Sequence, residues 1–285
     1  MMAVASTASR STIQSGLVAI GNEVQKGLRQ AWAERVQIII ELPLFVGFAL
    51  LFSLILGRGQ QVAATGTLAW RFDPQQTTWF FLGFVVFTFA YLQSVKMFWR
   101  LLGEIQTGTL EQVYLSPLPP WLTIGAGRLA ASLVETLFVV AVAGVTVSLA
   151  AGLQIAWRVD ALIPLAFAVV GGGAYSLAIA GLTLAWKRVE LLQEVITTLI
   201  MFISGALLPL DALPGWLRGV SAFTFITHPI AALRTTLLDG QPIPLRGTGG
   251  WVWMTAITAT WLAIGVLAFS LGSGAARRRG SLSRY

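Results

Sequence analysis

Residues 122–150 read LTIGAGRLAASLVETLFVVAVAGVTVSLA, and their twenty-nine positions carry two charges, Arg128 and Glu135. A hydrocarbon core about 30 Å thick needs about 20 apolar residues in a helix. Barrel strands instead alternate apolar and polar residues over about ten positions. The run is long and continuous, so it reads as a membrane helix. Five further runs reach or approach the same length: 38–56, 78–95, 161–186, 191–210 and 251–271. The expected fold is an all-α membrane protein. Six transmembrane helices form one domain over 38–274, between a cytoplasmic N-terminus at 1–37 and a basic tail at 275–285.

Composition agrees with this. Hydrophobic residues make up 56% and charged residues 11% of the chain, with a mean hydropathy of +0.76. Soluble domains carry about 25% charged residues. The absence of cysteine excludes disulfide and thiol chemistry. A single histidine and twelve acidic residues argue against a metal cluster. The net charge of +7 fits basic residues at membrane borders better than nucleic-acid binding. Residues 1–12 lack a basic region followed by an apolar core, so no signal peptide is expected there.

Lys and Arg sort by side. Thirteen fall in the N-terminal segment, near the second and fourth connections and in the tail, against six (Arg58, Arg71, Arg158, Arg218, Arg234, Arg246) in the opposite connections. The positive-inside rule places both termini in the cytoplasm. Before the first run, Ile13, Leu17, Ile20, Val24, Leu28 and Trp32 recur every three or four residues, with charged and polar residues between them. This pattern predicts an amphipathic helix lying at the membrane interface. Small residues four apart (Gly144, Ser148 and Gly152; Gly127 and Ala131; Gly181 and Ala185) suit close helix packing in lipid. Gly171-Gly172-Gly173 is expected to be a flexible or tightly packed point. No G-x-x-x-x-G-K-[ST] occurs, so Walker-type ATP binding is not expected in this chain.

The second connection, 97–121, contains GTLEQVYLSPLP at 108–119. Thr109 is suited to cap a short helix over 110–115, and Glu111 would sit at its positive end. Pro117, Pro119 and Pro120 would stop it. By its residues alone, this is either a docking helix or a capped chain reversal. In the outer segment 209–234, Trp216, Val220 and Phe223 share a helical face between Pro214 and Pro229. A short helix there either dips back into the membrane, covered by protein or water, or lies at the interface anchored by Trp216.

Charges in the spans are the last clue. A carboxylate at the bilayer centre costs at least about 2.5–3.5 kcal/mol, so Glu135 should have a partner, or a substrate or proton role. Glu190 and Glu194 stand beside Lys187 and Arg188, which predicts border salt bridges. Gln93, Ser94, Thr197, Thr198 and Ser204 add polar groups to the second and fifth spans. They suit either inter-helix hydrogen bonds or a pathway. Phe80, Phe81, Phe84, Phe87 and Phe89 read as packing or lipid-facing residues.

The run at 108–119 resembles the Gly-Thr-Leu-Glu-Gln…Ser-Pro segment of the membrane subunits of type-2 ABC exporters, with Arg100 and Glu104 matching charges that commonly precede it. A second stretch, SGALLPLDALPGWL at 204–217, is similar to that family's fifth span and outer exit. It continues into Thr227-His228-Pro229, where the family usually has Asn-Pro and this chain has His228. The resemblance spans nearly the whole chain. It implies that Glu104, Gly108, Thr109, Leu110, Glu111, Gln112, Tyr114 and Ser116 belong to a coupling helix that docks on a separate ATP-binding subunit. It implies a substrate pathway near Gln93, Ser94, Glu135, Thr197, Thr198 and Ser204, and an outer gate with Pro209, Asp211, Pro214, Trp216 and His228. The partners implied are two ATP-binding subunits, which would hold the ATP and magnesium, and a second permease copy or a related permease. This chain would have no cofactor and no catalytic residue. It would sit in the cell membrane and move an amphipathic cargo of the drug, lipid or glycan-lipid class outward. The open alternatives are a secondary transporter driven by an ion gradient through Glu135 and a membrane protein without transport activity.

Overall fold

The computed structural model describes residues 35–65, 73–110, 119–186 and 189–279, together with 18, 21–22, 24–29, 32–33 and 114. No strand occurs among them. The helices are α1 (Arg35–Thr65), α2 (Pro74–Thr107), α3 (Pro120–Ala151), α4 (Leu162–Trp186), α5 (Glu190–Ile203), α6 (Gly215–Phe223), α7 (Thr227–Leu237) and α8 (Trp251–Arg278).

Local chemistry sets the ends. At the start of α2, the Asp73 side chain accepts from the Gln75 N–H at 3.0 Å, and Pro74 takes the first helical position. An acidic cap and a first-turn proline both suit a helix start, where backbone N–H groups lack partners. The helix ends at Gly108 with φ +71°, a left-handed conformation that glycine adopts without a Cβ clash.

α2 is the central column. It packs on α4 and α3 and also touches α1, α5 and α7, while α8 lies along the other side of α4. The α4–α8 contact is the closest, because a Cβ on Gly181 or Gly265 would collide with backbone of the facing helix, and one on Gly272 would strike Gly181. Small residues permit this approach in lipid, where dispersion rather than water exclusion drives association. The Gly171-Gly172-Gly173 point is tightly packed: Gly171 lies against Phe225 and Gly172 against Gln93. α3 and α8 turn large apolar side chains outward, among them Leu137, Phe138, Leu149, Leu267 and Leu271.

Among the described residues, four helical segments are long and apolar enough to cross a membrane: Pro74–Thr107, Ser132–Ala151, Val159–Trp186 and Trp251–Arg278. Among the described side chains, the apolar part of α1 is Ile39–Ile55, within the expected 38–56. The fifth run is helical for 14 residues only, about 21 Å at 1.5 Å per residue. It stops at Ile203 because Gly205 turns to φ +86° and Pro209 follows. A 3-10 turn at Leu210–Ala212 then leads into α6.

Two boundaries are also corrected. Helix α2 runs unbroken to Thr107, so Lys96, Arg100 and Glu104 lie inside it rather than in a connection. Pro229 sits in the first turn of α7 and does not bound the outer helix; α6 and α7 are separate. Of the expected N-terminal helix, the described residues are helical. Leu28 is 38% and Trp32 72% exposed, so among the described residues no layer covers those apolar groups.

Candidate functional site: a charge ladder, a loop anchor and an aromatic groove

Lys96, Arg100 and Glu104 stand four residues apart along one face of α2, as successive turns of a helix require. Glu135 reaches across from α3. Its carboxylate lies 3.2 Å from Lys96 Nζ and also accepts from the Arg100 guanidinium. All three side chains are buried. One turn further on, Glu104 accepts from Lys26 Nζ at 2.7 Å, which ties the N-terminal helical segment to α2. The partners of Glu135 are therefore on α2. Two cations compensate a charge that would otherwise be costly in the bilayer.

The end of α2 leads into the segment that resembles a coupling helix. The Thr107 hydroxyl donates to the Gly103 carbonyl at 2.9 Å and lies 3.0 Å from the Thr109 hydroxyl. Leu110 is 0% exposed and packs with Met97, Leu101, Ile105, Ile124 and Phe269. Its side chain therefore anchors the loop to the bundle and does not present an outer surface. Tyr114 is half-buried under the Arg277 guanidinium, 4.5 Å from its ring centre. Arg279 donates to the Ala185 carbonyl at 3.2 Å, satisfying the C-terminal end of α4. Thus α8 closes over both α4 and the loop. Glu111, Gln112 and Ser116, with most of the expected helix at 110–115, lie outside the described residues.

The outer segment is held by Arg234 of α7. Its Nε donates to the Trp79 carbonyl at 3.0 Å, and its terminal nitrogens donate to the carbonyls of Gly205 at 2.8 Å and Ala206 at 3.3 Å. The guanidinium also lies over the Trp79 ring, 3.4 Å from its centre. The Gly205 and Ala206 carbonyls lie just past the end of α5, outside its helical hydrogen bonds. Arg218 donates to the carbonyls of Asp211 and Leu213, closing the turn before α6. Pro209 lines a cavity of about 390 Å³ with Asp73 and Trp79. Pro214 precedes α6, and Trp216 is 73% exposed on it.

His228 has a defined tautomer. Its Nδ1 accepts from the Gly249 N–H at 3.3 Å, so the proton sits on Nε2 and is donated to the Ala222 carbonyl at 3.0 Å. The ring stacks on Trp253.

The expected pathway residues do not gather in one place. Gln93 is buried against Gly172 and has no hydrogen-bond partner among the described residues. The Ser94 hydroxyl donates to the Tyr91 carbonyl, and the Thr197 hydroxyl pairs with that of Tyr175 at 2.9 Å. Ser204 is fully buried at the end of α5. Only Thr198 lines the groove of about 380 Å³ between α1, α2 and α5. The groove instead uses Phe84, Phe87 and Tyr91 of α2, Glu41 and Phe45 of α1, and Glu194 of α5. None of these was assigned to a pathway from sequence. The available signal was periodicity: positions 84, 87 and 91, and 41, 45 and 48, each fall on one helical face.

A helical bundle with long apolar helices and large apolar side chains turned outward defines a multi-pass membrane protein. The family model for the ABC-2 type transporter matches residues 22–238. The chain belongs to that family, as a permease component, and membership implies association with an ABC ATP-binding subunit. Comparison with curated proteins found no match.

Proposed function

We propose that this chain is the transmembrane subunit of an ATP-driven exporter that moves an amphipathic cargo outward across the cell membrane. In this reading both termini are cytoplasmic. Residues 38–274 act as one permease domain of six spans. α1 is the first span, and α5 with the re-entrant pair α6 and α7 completes the fifth. Two permeases, alike or related, each hold an ATP-binding subunit through Glu111 and its neighbours. That partner carries ATP, magnesium and the hydrolytic chemistry, and this chain carries none.

The observation that carries the proposal is the anchorage of the loop after α2. Leu110 and the Arg277–Tyr114 contact fix it to the bundle. The Glu104–Lys26 pair links the same helix end to the N-terminal segment. A pull on this loop would therefore reach α2, α4 and α8 together. The ion-driven alternative through Glu135 is weakened by the two cations that already compensate that carboxylate.

The test is affinity purification of the tagged chain in mild detergent from its native host, with mass spectrometry of what accompanies it. A stoichiometric ATP-binding subunit that is lost in Glu111→Arg, while the permease stays folded, is the expected result. An active chain that purifies alone would overturn the reading.

A further inference from the structure

Helix α8 finishes on three consecutive arginines that face three ways. The Arg277 guanidinium lies over the Tyr114 ring, 4.5 Å from its centre. Arg279 donates to the Ala185 carbonyl at 3.2 Å, at the end of α4. Arg278 stands between them and is exposed. It follows Leu267 by about three helical turns and Leu271 by about two, so the three residues share one face of α8. Leu267 is 60% and Leu271 65% exposed, and Ile264 carries the same outward stripe one turn further back. Helices α4 and α8 run side by side in one direction, since Gly265 faces Ala174 and Gly272 faces Gly181. Trp186, the residue after Ala185, is exposed at the level of the arginines.

An apolar stripe that ends on a guanidinium fits a molecule with hydrocarbon tails and an anionic head. Guanidinium presents paired N–H donors that match phosphate oxygens. Basic side chains at the border of a membrane helix attract anionic headgroups, and indoles favour the headgroup level. The local charge has the right sign whichever groups pair within the chain. Residues 275–285 carry four arginines and no acidic side chain, and Lys187 and Arg188 follow Trp186. The loop after α2 and the first turn of α5 add Glu111 and Glu190 to these six cations. A zwitterionic head brings a cation of its own to this cluster. An acidic protein surface matches the arginines but not the hydrocarbon stripe, which runs down the flank of a membrane span.

We propose that the Arg278 face of α8 binds an anionic phospholipid, its phosphate on Arg278 and its tails along Leu271, Leu267 and Ile264. The site needs a membrane-spanning α8 and does not rest on the exporter reading. The bound head sits one residue from the Arg277–Tyr114 contact, which holds the loop after α2, and one residue from the Arg279–Ala185 bond, which caps α4. Lipid composition would therefore bear on the end of the bundle where that loop is anchored.

The test reads which lipid lies on this face. The full chain, with photoreactive p-benzoylphenylalanine in place of Leu271, is purified with whatever accompanies it. It is placed in nanodiscs of equimolar phosphatidylglycerol and phosphatidylcholine with the same acyl chains. After irradiation, the mass of each adduct identifies the crosslinked molecule. The expected result is an excess of phosphatidylglycerol adduct over phosphatidylcholine adduct of about fivefold. Adding Arg278→Gln should bring the two toward parity. Adding Arg278→Lys, which keeps the charge, should preserve most of the excess, so a loss in Arg278→Gln is not mere misfolding. Equal adducts of the two lipids in the chain with Arg278 overturn the proposal. An excess that Arg278→Gln leaves unchanged also overturns it, because the general charge of the surface then accounts for the enrichment. A dominant adduct to a second copy or to an accompanying ATP-binding subunit overturns it too and assigns the face to that protein.

Discussion

Glu135 is the residue on which the buried charge balance turns. It pairs with both Lys96 and Arg100 and offsets part of their charge inside the bundle. Glu135→Gln removes that carboxylate from both cations. Breaking one side of a buried ion cluster costs about 3–5 kcal/mol, so this variant should show a much lower thermal midpoint in detergent. A midpoint within a degree or two of wild type would mean the carboxylate is not structural. That Glu135 needed a partner was legible from its place in an apolar run. The identity of the partner was not, because the hydropathy of the second run falls at Lys96 and suggests that the span ends there. The four-residue spacing of 96, 100 and 104 held the answer, since a helix that continued would align them.

At the scale of elements, the break in α5 shows what apolar content alone conceals. Residues 191–210 are apolar enough to read as one span, yet the helix stops at Ile203. The signals were Gly205 and Pro209, but glycine and proline are both tolerated in membrane helices. The decisive partner was distant in sequence: Arg234, 29 residues beyond Gly205, supplies the donors that the helix no longer provides. By contrast, α3, α4 and α8 were legible from length and composition, because their outward faces meet lipid and need no partner to be named. Arg234→Ala removes three hydrogen bonds from a charged donor and the contact over Trp79. Hydrogen bonds to charged groups contribute about 1.5–3 kcal/mol each, and relaxation recovers part of this, so a loss of about 3 kcal/mol or more is expected in denaturation by heat or detergent. Arg234→Lys should behave nearly as badly, because an ammonium lacks the planar fork that spans three carbonyls. A lysine variant as stable as wild type would reduce the site to a simple point charge.

Across the whole molecule, three connections converge on one end of the bundle. Lys26 meets Glu104, Leu110 sits in the core, and Arg277 covers Tyr114. Each ties a different part of the chain to the end of α2 or to the loop that follows it, so motion there is shared rather than local. The Lys26–Glu104 pair joins a Lys26 side chain that is 39% exposed to a Glu104 side chain that is only 8% exposed. Lys26→Glu sets a second carboxylate against a buried one and should lower the thermal midpoint modestly. If the N-terminal segment transmits the ATP-driven movement, the same variant in the assembled complex should lower transport per ATP hydrolysed. The reversal Lys26→Glu with Glu104→Lys restores opposite charges with their positions exchanged, and should recover that ratio. Recovery would identify the contact itself as the link, because a general effect of charge on the membrane surface is not reversed by a compensating change on α2. An uncoupled single variant without recovery would assign the defect to the segment's attachment to lipid. An unchanged ratio in the single variant would leave Leu110 and the Arg277–Tyr114 contact as the route by which the loop moves the bundle.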